Sequence, residues 1–441
     1  MSVPVLDSAA RGRRASGSGR LRVLFVSKRF PYPADTGGKI RTARLLEHLS
    51  REIDITLISN VEHPKDDPYL GGVQKLCARF EPVPWREVPK RSPRFYARVI
   101  RRLASRYPVS VAGDYSRPLA ERIRACLTRD RYDLLVCDFV QPSINIDDRV
   151  DCPMLLFQHN VESIIFERHA RTAGNVLLRW FWRSQWRKME RFEREACGRF
   201  AGVVAVSEGD RALFAERFGA RRTFAIPTAV DAEYFRPGLA PAVDGRIVFT
   251  GSMDWLPNED AVLFFADEIL PRVTARVPGA AFTVVGRSPS GRLRRRLGSR
   301  PDITITGRVD DVRPYLESAA AYVIPLRIGG GTRIKAYEAM AMAKSVVSTP
   351  IGVEGLPVQD GEHLVMAERA EDFADAVVGM LQDPERRHRL GQAARRFVEG
   401  SFTWPSATQA FIDACRAVAV SGAERSIPDN AGRAHRVRPA R

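Results

Sequence analysis

Three turns in this chain hold residues whose types and spacing could do chemistry. The first is PLRIGGGTRIKAYEAMA, where Gly329, Gly330, Gly331 and Thr332 lead into Arg333, Lys335 and Glu338. Three glycines opening a helix leave backbone amides free to cradle an anion. Arg333 and Lys335 add fixed positive charge, a combination suited to a diphosphate. Glu338 stands about one helical turn further on, where a carboxylate can accept hydrogen bonds from sugar hydroxyls. The alternative reading is a glycine-rich turn with solvated charges. The second turn is KRFPYPADTGGKIRT, with Gly37 and Gly38 ahead of a helical pattern. Paired glycines there let backbone approach a ligand, and the helix N-terminus offers amide donors; a tight turn is the competing reading. The spacing is not G-x-G-x-x-G, so no dinucleotide fingerprint is present. The third is QHNVES, in which His159 closes an apolar run. It could act at a site or serve as a capping or surface histidine.

Elements that would position these residues follow from hydrophobic periodicity. LRVLFVS, ITLIS, YDLLVCD, MLLFQHN and FAGVVAVS are short apolar runs separated by helix-length segments. After a Pro- and Gly-containing joint the pattern restarts with RIVFTGS, AFTVVGR, ITITG, AAYVIPL, SVVSTP and HLVMA. Such alternation predicts an α/β fold of two doubly wound parallel-sheet domains. The expected division is a basic disordered tail over 1–20, a first domain over 21–225 and a second over 226–400. A returning helix over 401–420 and a disordered tail over 421–441 complete it. Open sheets of this kind bind ligands at the carboxyl ends of their strands. Two in tandem place a site in the cleft between them.

Composition narrows the function classes. The chain has 441 residues and six cysteines, none in a C-x-x-C pair, so buried reduced thiols are expected. No apolar run reaches the length of a membrane span, about 18 residues, and no secretory leader is evident. A cytoplasmic protein is the expectation. The net charge of +17 is uneven. It concentrates in the tails and in residues 85–106 and 168–194. In the latter, Arg179, Arg183, Arg187 and Arg191 recur every four residues beside Leu178, Trp182 and Trp186. Arginine and tryptophan side by side suit an anionic bilayer interface; an aromatic row packed into a core, with a solvated Arg face, is the alternative. No recognised nucleic-acid module accompanies the charge.

Taken together, FPYPADTGGKIRTARLLEHL, QHNVES, VVAVSEGDRALF, IPTAVDAEYF, FTGSMDWLPNEDAV, FTVVGRSP, ITGRVDDVRPYL and GGGTRIKAYEAMA resemble glycosyltransferase family 4. The resemblance covers nearly everything from Leu21 to about Val420. It implies the two-domain GT-B fold, with an acceptor-binding first domain and a nucleotide-sugar-binding second domain. By the same resemblance Gly37 and Gly38 face the donor phosphate and the transferring sugar. His159 is the active-site histidine, Glu338 binds ribose, and backbone near Arg308 and Val309 meets the base. Gly330 stands where many members have a first glutamate, implying altered sugar contact. The usual Arg…Lys pair is not found in GSMDWLPNED, which leaves the diphosphate to Gly330, Gly331, Thr332, Arg333 and Lys335. No D-x-D occurs in the chain, so no metal and no other cofactor is expected. The implied activity is a retaining transfer from a nucleoside-diphosphate sugar to a glycan or lipid-linked acceptor. Exopolysaccharide or envelope glycan assembly, on the inner face of the cell membrane, is the implied setting. Rival readings are a silent membrane or nucleic-acid binder that has kept the fold, and a sugar-nucleotide epimerase or phosphorylase.

Overall fold

The structure, a computed structural model, describes residues 19–425 apart from 35, 90–91, 149, 239–240 and 329–333. Its first sheet holds β1 (Arg22–Ser27), β2 (Asp54–Val61), β3 (Arg79–Pro84), β4 (Leu134–Asp138), β5 (Met154–Phe157), β6 (Gly202–Ala205) and β7 (Thr223–Ala225). The order is β3-β2-β1-β4-β5-β6-β7 and every pairing is parallel. The second sheet holds β8 (Arg246–Thr250), β9 (Ala281–Val285), β10 (Ile303–Gly307), β11 (Ala321–Ile324), β12 (Val346–Ser348) and β13 (Val365–Met366). Its order, β10-β9-β8-β11-β12-β13, is again wholly parallel. Two parallel-sheet α/β domains of this kind make a GT-B fold.

Strands such as LLVCD, apolar up to its closing Asp138, and GVVA are buried along their whole length because helices cover both faces. Strand order reverses between β1 and β4 and again between β8 and β11, and those switch points open the crevices where ligands sit. At the first, Ser27 and Asp138 are register partners at the carboxyl ends of their strands.

The last helix, Trp404–Arg425, returns to the first domain. Trp404, Phe411, Ile412, Cys415 and Val418 belong to the same buried cluster as Phe25, Leu46 and Phe157. The Phe411 ring meets Phe157 edge-on at 5.1 Å. This helix runs past its expected end at residue 420. Apart from that extension and residues 19 and 20, where Arg20 pairs with Asp54, the rest of the expected tails lies outside the described residues. Among the described residues no helix is long and apolar enough to cross a membrane.

Candidate functional site

The cleft floor on the first domain is a buried polar network. Asp138 ends β4 and accepts hydrogen bonds from Ser27 Oγ at 2.9 Å and from Thr42 Oγ1 at 3.0 Å. His159 follows β5 by two residues, and its Nε2 lies 2.7 Å from Asp138 Oδ1. On its other side, Nδ1 is 3.1 Å from Arg41 Nη1. A guanidinium only donates, so Nδ1 accepts and Nε2–H donates to Asp138. This tautomer is the neutral one. Burial pushes the imidazole below its usual range against the pull of Asp138, which agrees with it. Arg41 Nη2 donates to Thr228 Oγ1 at 2.9 Å, in the joint between the domains. Burial lowers the Arg41 guanidinium to about 10.

Phe139 caps this network. It sits at φ +68°, a left-handed conformation that a bulky residue rarely adopts. Its ring stacks on His159, with centroids 3.9 Å apart and planes 7° from parallel. The same ring accounts for Gly38: a Cβ there would stand 2.9 Å from Phe139 Cζ. At Gly37 a Cβ would approach Ile334 Cδ1 of the second domain at 3.4 Å. The paired glycines therefore have a packing reason of their own. They begin the helix Gly37–Leu49, whose N-terminus carries no side-chain cap. Ser27, Arg29, Gly38, Lys39, Asp138 and Phe139 line a small crevice there.

The second domain presents the helix Ile334–Ala341 opposite. Lys335 Nζ donates to Asn258 Oδ1 at 2.8 Å and lies 4.2 Å from the centre of the Phe249 ring. It is held at the carboxyl end of β8, where a Cβ on Gly251 would stand 2.8 Å from Nζ. Glu338 is half-buried, and no described residue hydrogen-bonds its carboxylate. Burial pushes it up to about 7, against the attraction of Lys335. At the end of β10, Gly307 turns with φ +73°, leaving Arg308 exposed and Val309 packed on the domain core. Gly330, Gly331, Thr332 and Arg333 lie outside the described residues. Across the cleft Arg168 meets Glu354 through two hydrogen bonds, at 2.9 and 2.5 Å.

The structure thus brings His159, Gly37, Gly38, Lys335 and Glu338 to one cleft. Asp138, Arg41, Phe139, Thr228 and Asn258 were not singled out from the sequence. Asp138 carried a signal, as the one acid closing an apolar strand; Arg41 carried none, because it sits in a helix among other cations. The aromatic row needs correction. Trp182 is half-buried and stacks on His169 at 4.6 Å and Phe166 at 5.7 Å, so its ring is spent on the neighbouring helix Glu162–Thr172 rather than offered outward. Trp186 is likewise half-buried, whereas Arg179, Arg183 and Arg187 are exposed.

Comparison with known proteins yields two family matches. Residues 35–234 match the model described as Glycosyltransferase Family 4, and residues 244–383 match Glycosyl transferases group 1. A Klebsiella pneumoniae protein, the 44.6 kDa protein in the cps region, is 20% identical over 399 residues, covering 86% of this chain and 96% of its own. The phosphatidyl-myo-inositol mannosyltransferase of Mycolicibacterium smegmatis is 31% identical over 205 residues, covering 44% of this chain and 51% of its own, so the match spans about half of that enzyme. Among solved structures, the sucrose-phosphate synthase of Thermosynechococcus elongatus superposes with a TM-score of 0.69 at 17% identity, over 91% of this chain and 100% of that one. The Anabaena protein HepE, solved with UDP and glucose, superposes with a TM-score of 0.62 at 12% identity, over 90% and 100%. At these identities the two structures speak for the fold.

Proposed function

From the premise that this chain belongs to the family 4, group 1 glycosyltransferases and is an enzyme of that class, we propose that it moves a sugar from a nucleoside diphosphate to a glycan or lipid-linked acceptor, with retention of anomeric configuration. The observation that carries the donor half is Glu338: a half-buried carboxylate without a hydrogen-bond partner among the described residues, about one turn beyond a lysine fixed at a strand end. A half-buried carboxylate gains from charge-assisted hydrogen bonds when a donor arrives, and paired ribose hydroxyls are such donors. Lys335, with Arg333 and the backbone of Gly330, Gly331 and Thr332, faces the diphosphate. Arg308 and Val309 border the base. Binding of UDP and glucose by the Anabaena neighbour supports a nucleoside-diphosphate sugar as donor.

In this reading the sugar lies between Lys335 and the first-domain floor. The bond from the anomeric carbon to the diphosphate oxygen breaks, and the acceptor hydroxyl adds from the same face. The acceptor's proton passes to the departing phosphate. Negative charge growing on that phosphate is met by fixed cations and helix amides, so no metal is required. No side chain is assigned as nucleophile. His159 has both ring nitrogens engaged, so it acts by holding the floor against which the sugar rests, through Asp138 and Phe139.

The Klebsiella relative from a cps region supports a place in polysaccharide or envelope glycan assembly, and the mannosyltransferase relative, by its name, supports a glycolipid acceptor. The enzyme works on the cytoplasmic side, peripherally attached to the inner face of the membrane, and takes no nucleic acid. The test is calorimetric titration of UDP and GDP into wild type and Glu338→Ala. Loss of the charge-assisted bond is expected to cost about 1.5–3 kcal/mol. Unchanged affinity in a folded variant rejects the ribose role. NMR of the product's anomeric proton decides retention.

A further inference from the structure

Beside the His159 floor the first domain holds a second polar cluster, centred on Glu162. This residue stands three positions beyond His159 and opens the helix Glu162–Thr172. Its carboxyl is half-buried and takes hydrogen bonds from the side chains of Gln141 and Asn160. Gln141 follows Phe139 by two residues and Asn160 follows His159 directly. The carboxyl is therefore clasped between the two loops that carry the floor. Arg29 lines the crevice with Gly38, Asp138 and Phe139, and it is close enough to act on both Glu162 and His159. These contacts come from three parts of the chain, and together they put Glu162 at the rim of the crevice.

Buried charge fixes it there. Val161 stands at the cap position of the helix and offers no side-chain oxygen. Glu193, from the helix Val176–Arg199, supplies the cap from outside. Its two carboxyl oxygens accept the backbone N–H of Glu162 at 2.7 Å and of Ser163 at 3.0 Å. Glu193 is 0% exposed, and burial pushes it up to about 8 against those bonds. A wholly buried carboxyl is costly even when hydrogen-bonded; here it sets the backbone of Glu162 from a second helix. Asp114, also buried, pairs with Lys28 just after β1 and feels Arg29 as well.

The chemistry of these side chains selects a ligand. Burial makes the Glu162 carboxylate more basic than one at the surface, which strengthens it as an acceptor from hydroxyls. The amides of Gln141 and Asn160 and the guanidinium of Arg29 supply donors. Donors and acceptors side by side match neighbouring hydroxyls on a sugar ring. They do not match a phosphate: Lys28 is already engaged by Asp114, and Glu162 would repel the incoming anion and offset Arg29.

We propose that Arg29, Gln141, Asn160 and Glu162 form the acceptor subsite, and that the group seated there is an uncharged sugar ring rather than a phosphate. This rests on the glycosyltransferase reading and narrows it: whatever lies at its far end, the acceptor presents a sugar. Glu162 accepts from a hydroxyl beside the attacking one. The attacking oxygen bonds to the anomeric carbon as the bond to the diphosphate breaks, and its own proton leaves with the departing phosphate. Glu162 begins and ends the step in the same protonation state.

Saturation-transfer NMR of the full chain tests this, with UDP or GDP present and the methyl glycosides of glucose, galactose and mannose as probes. Wild type is expected to bind at least one of them. Glu162→Gln keeps the side chain's shape, and it is expected to weaken that binding about tenfold or more while calorimetric affinity for the nucleotide holds. Should it fail to fold, Arg29→Gln, at an exposed position, gives the answer with an expected weakening of about threefold or more. A folded variant that binds the glycoside like wild type overturns the subsite. So does a glycoside signal abolished by inorganic phosphate, which would mark an anion site, and so does a wild type that takes nucleotide but none of the glycosides. The glycosyltransferase reading fails separately: a wild type that binds no nucleotide sinks the donor site, and a glycoside bound through Glu162 would stand without it.

Discussion

The two walls of the cleft are built on opposite principles. On the first domain most polar groups of the floor meet one another: Asp138 takes three hydrogen bonds and His159 has a partner on each ring nitrogen, with Arg41 Nε left over among the described residues. On the second, Glu338 has no hydrogen-bond partner among the described residues, and burial pushes it up to about 7. A closed network fixes geometry whether or not ligand is present. A half-buried acceptor with no partner among the described residues instead gains free energy when a donor arrives. Affinity should therefore reside mainly in the second domain, and orientation of the reacting sugar mainly in the first.

The hardest blow to that division is removal of Asp138. Asp138→Ala strands two hydroxyls and leaves His159 and Arg41 without their anion. It is expected to cost about 3–5 kcal/mol of stability in urea denaturation, while nucleotide affinity of the folded fraction holds. If affinity falls as far as stability, the two walls are not separable.

A smaller effect comes from pH. Hydroxyls donate fully only to an ionised carboxylate, and burial pushes Glu338 up to about 7. Its folded value lies above the ordinary carboxylate range, so binding must expel a proton below that pH. Nucleotide affinity is expected to be full above about 7 and to fall by up to about tenfold for each pH unit below it. Calorimetry in buffers of different ionisation enthalpy would count the proton. In Glu338→Gln that component of the pH dependence should vanish.

Smaller again is the tie across the cleft. Arg168 and Glu354 are both partly exposed, so Arg168→Ala is expected to cost about 0.2–1 kcal/mol, read as a slight drop in urea midpoint. A larger loss would mean that the walls hold each other rather than themselves. The smallest expected effect is none: in the proposed reading cations and helix amides meet the diphosphate, so excess EDTA should leave transfer unchanged. Activity abolished by EDTA and restored by magnesium would move that charge onto a metal.

Much of this was legible in the residues. Strands buried on both faces read as continuous apolar runs, so both sheets and their restart were visible. The edges were not. RFEPVP forms β3 despite two prolines, which an edge strand tolerates because one side of it needs no ladder bond; β7, three residues long at the other edge, is too short for a pattern. Lys335 and Glu338 were readable because one helix carries both at fixed spacing. Of the floor only His159 was, at the end of its apolar run; Arg41, Asp138 and Thr228 arrive from three other places in the chain and only the fold makes them its neighbours. Trp182 misled because a row at four-residue spacing says which side chains share a helix face, not what covers it.

The returning helix carries a consequence for how the molecule comes to exist. Phe411, Ile412, Cys415 and Val418 complete the core of the first domain, yet they are made after the whole second domain. At usual synthesis rates the gap between residues 225 and 418 lasts on the order of ten to forty seconds. Through that interval Phe157 and its neighbours lack their cover. The domain begun first is finished last, and a ribosome-bound chain halted before residue 404 should expose an apolar face that chaperones would recognise.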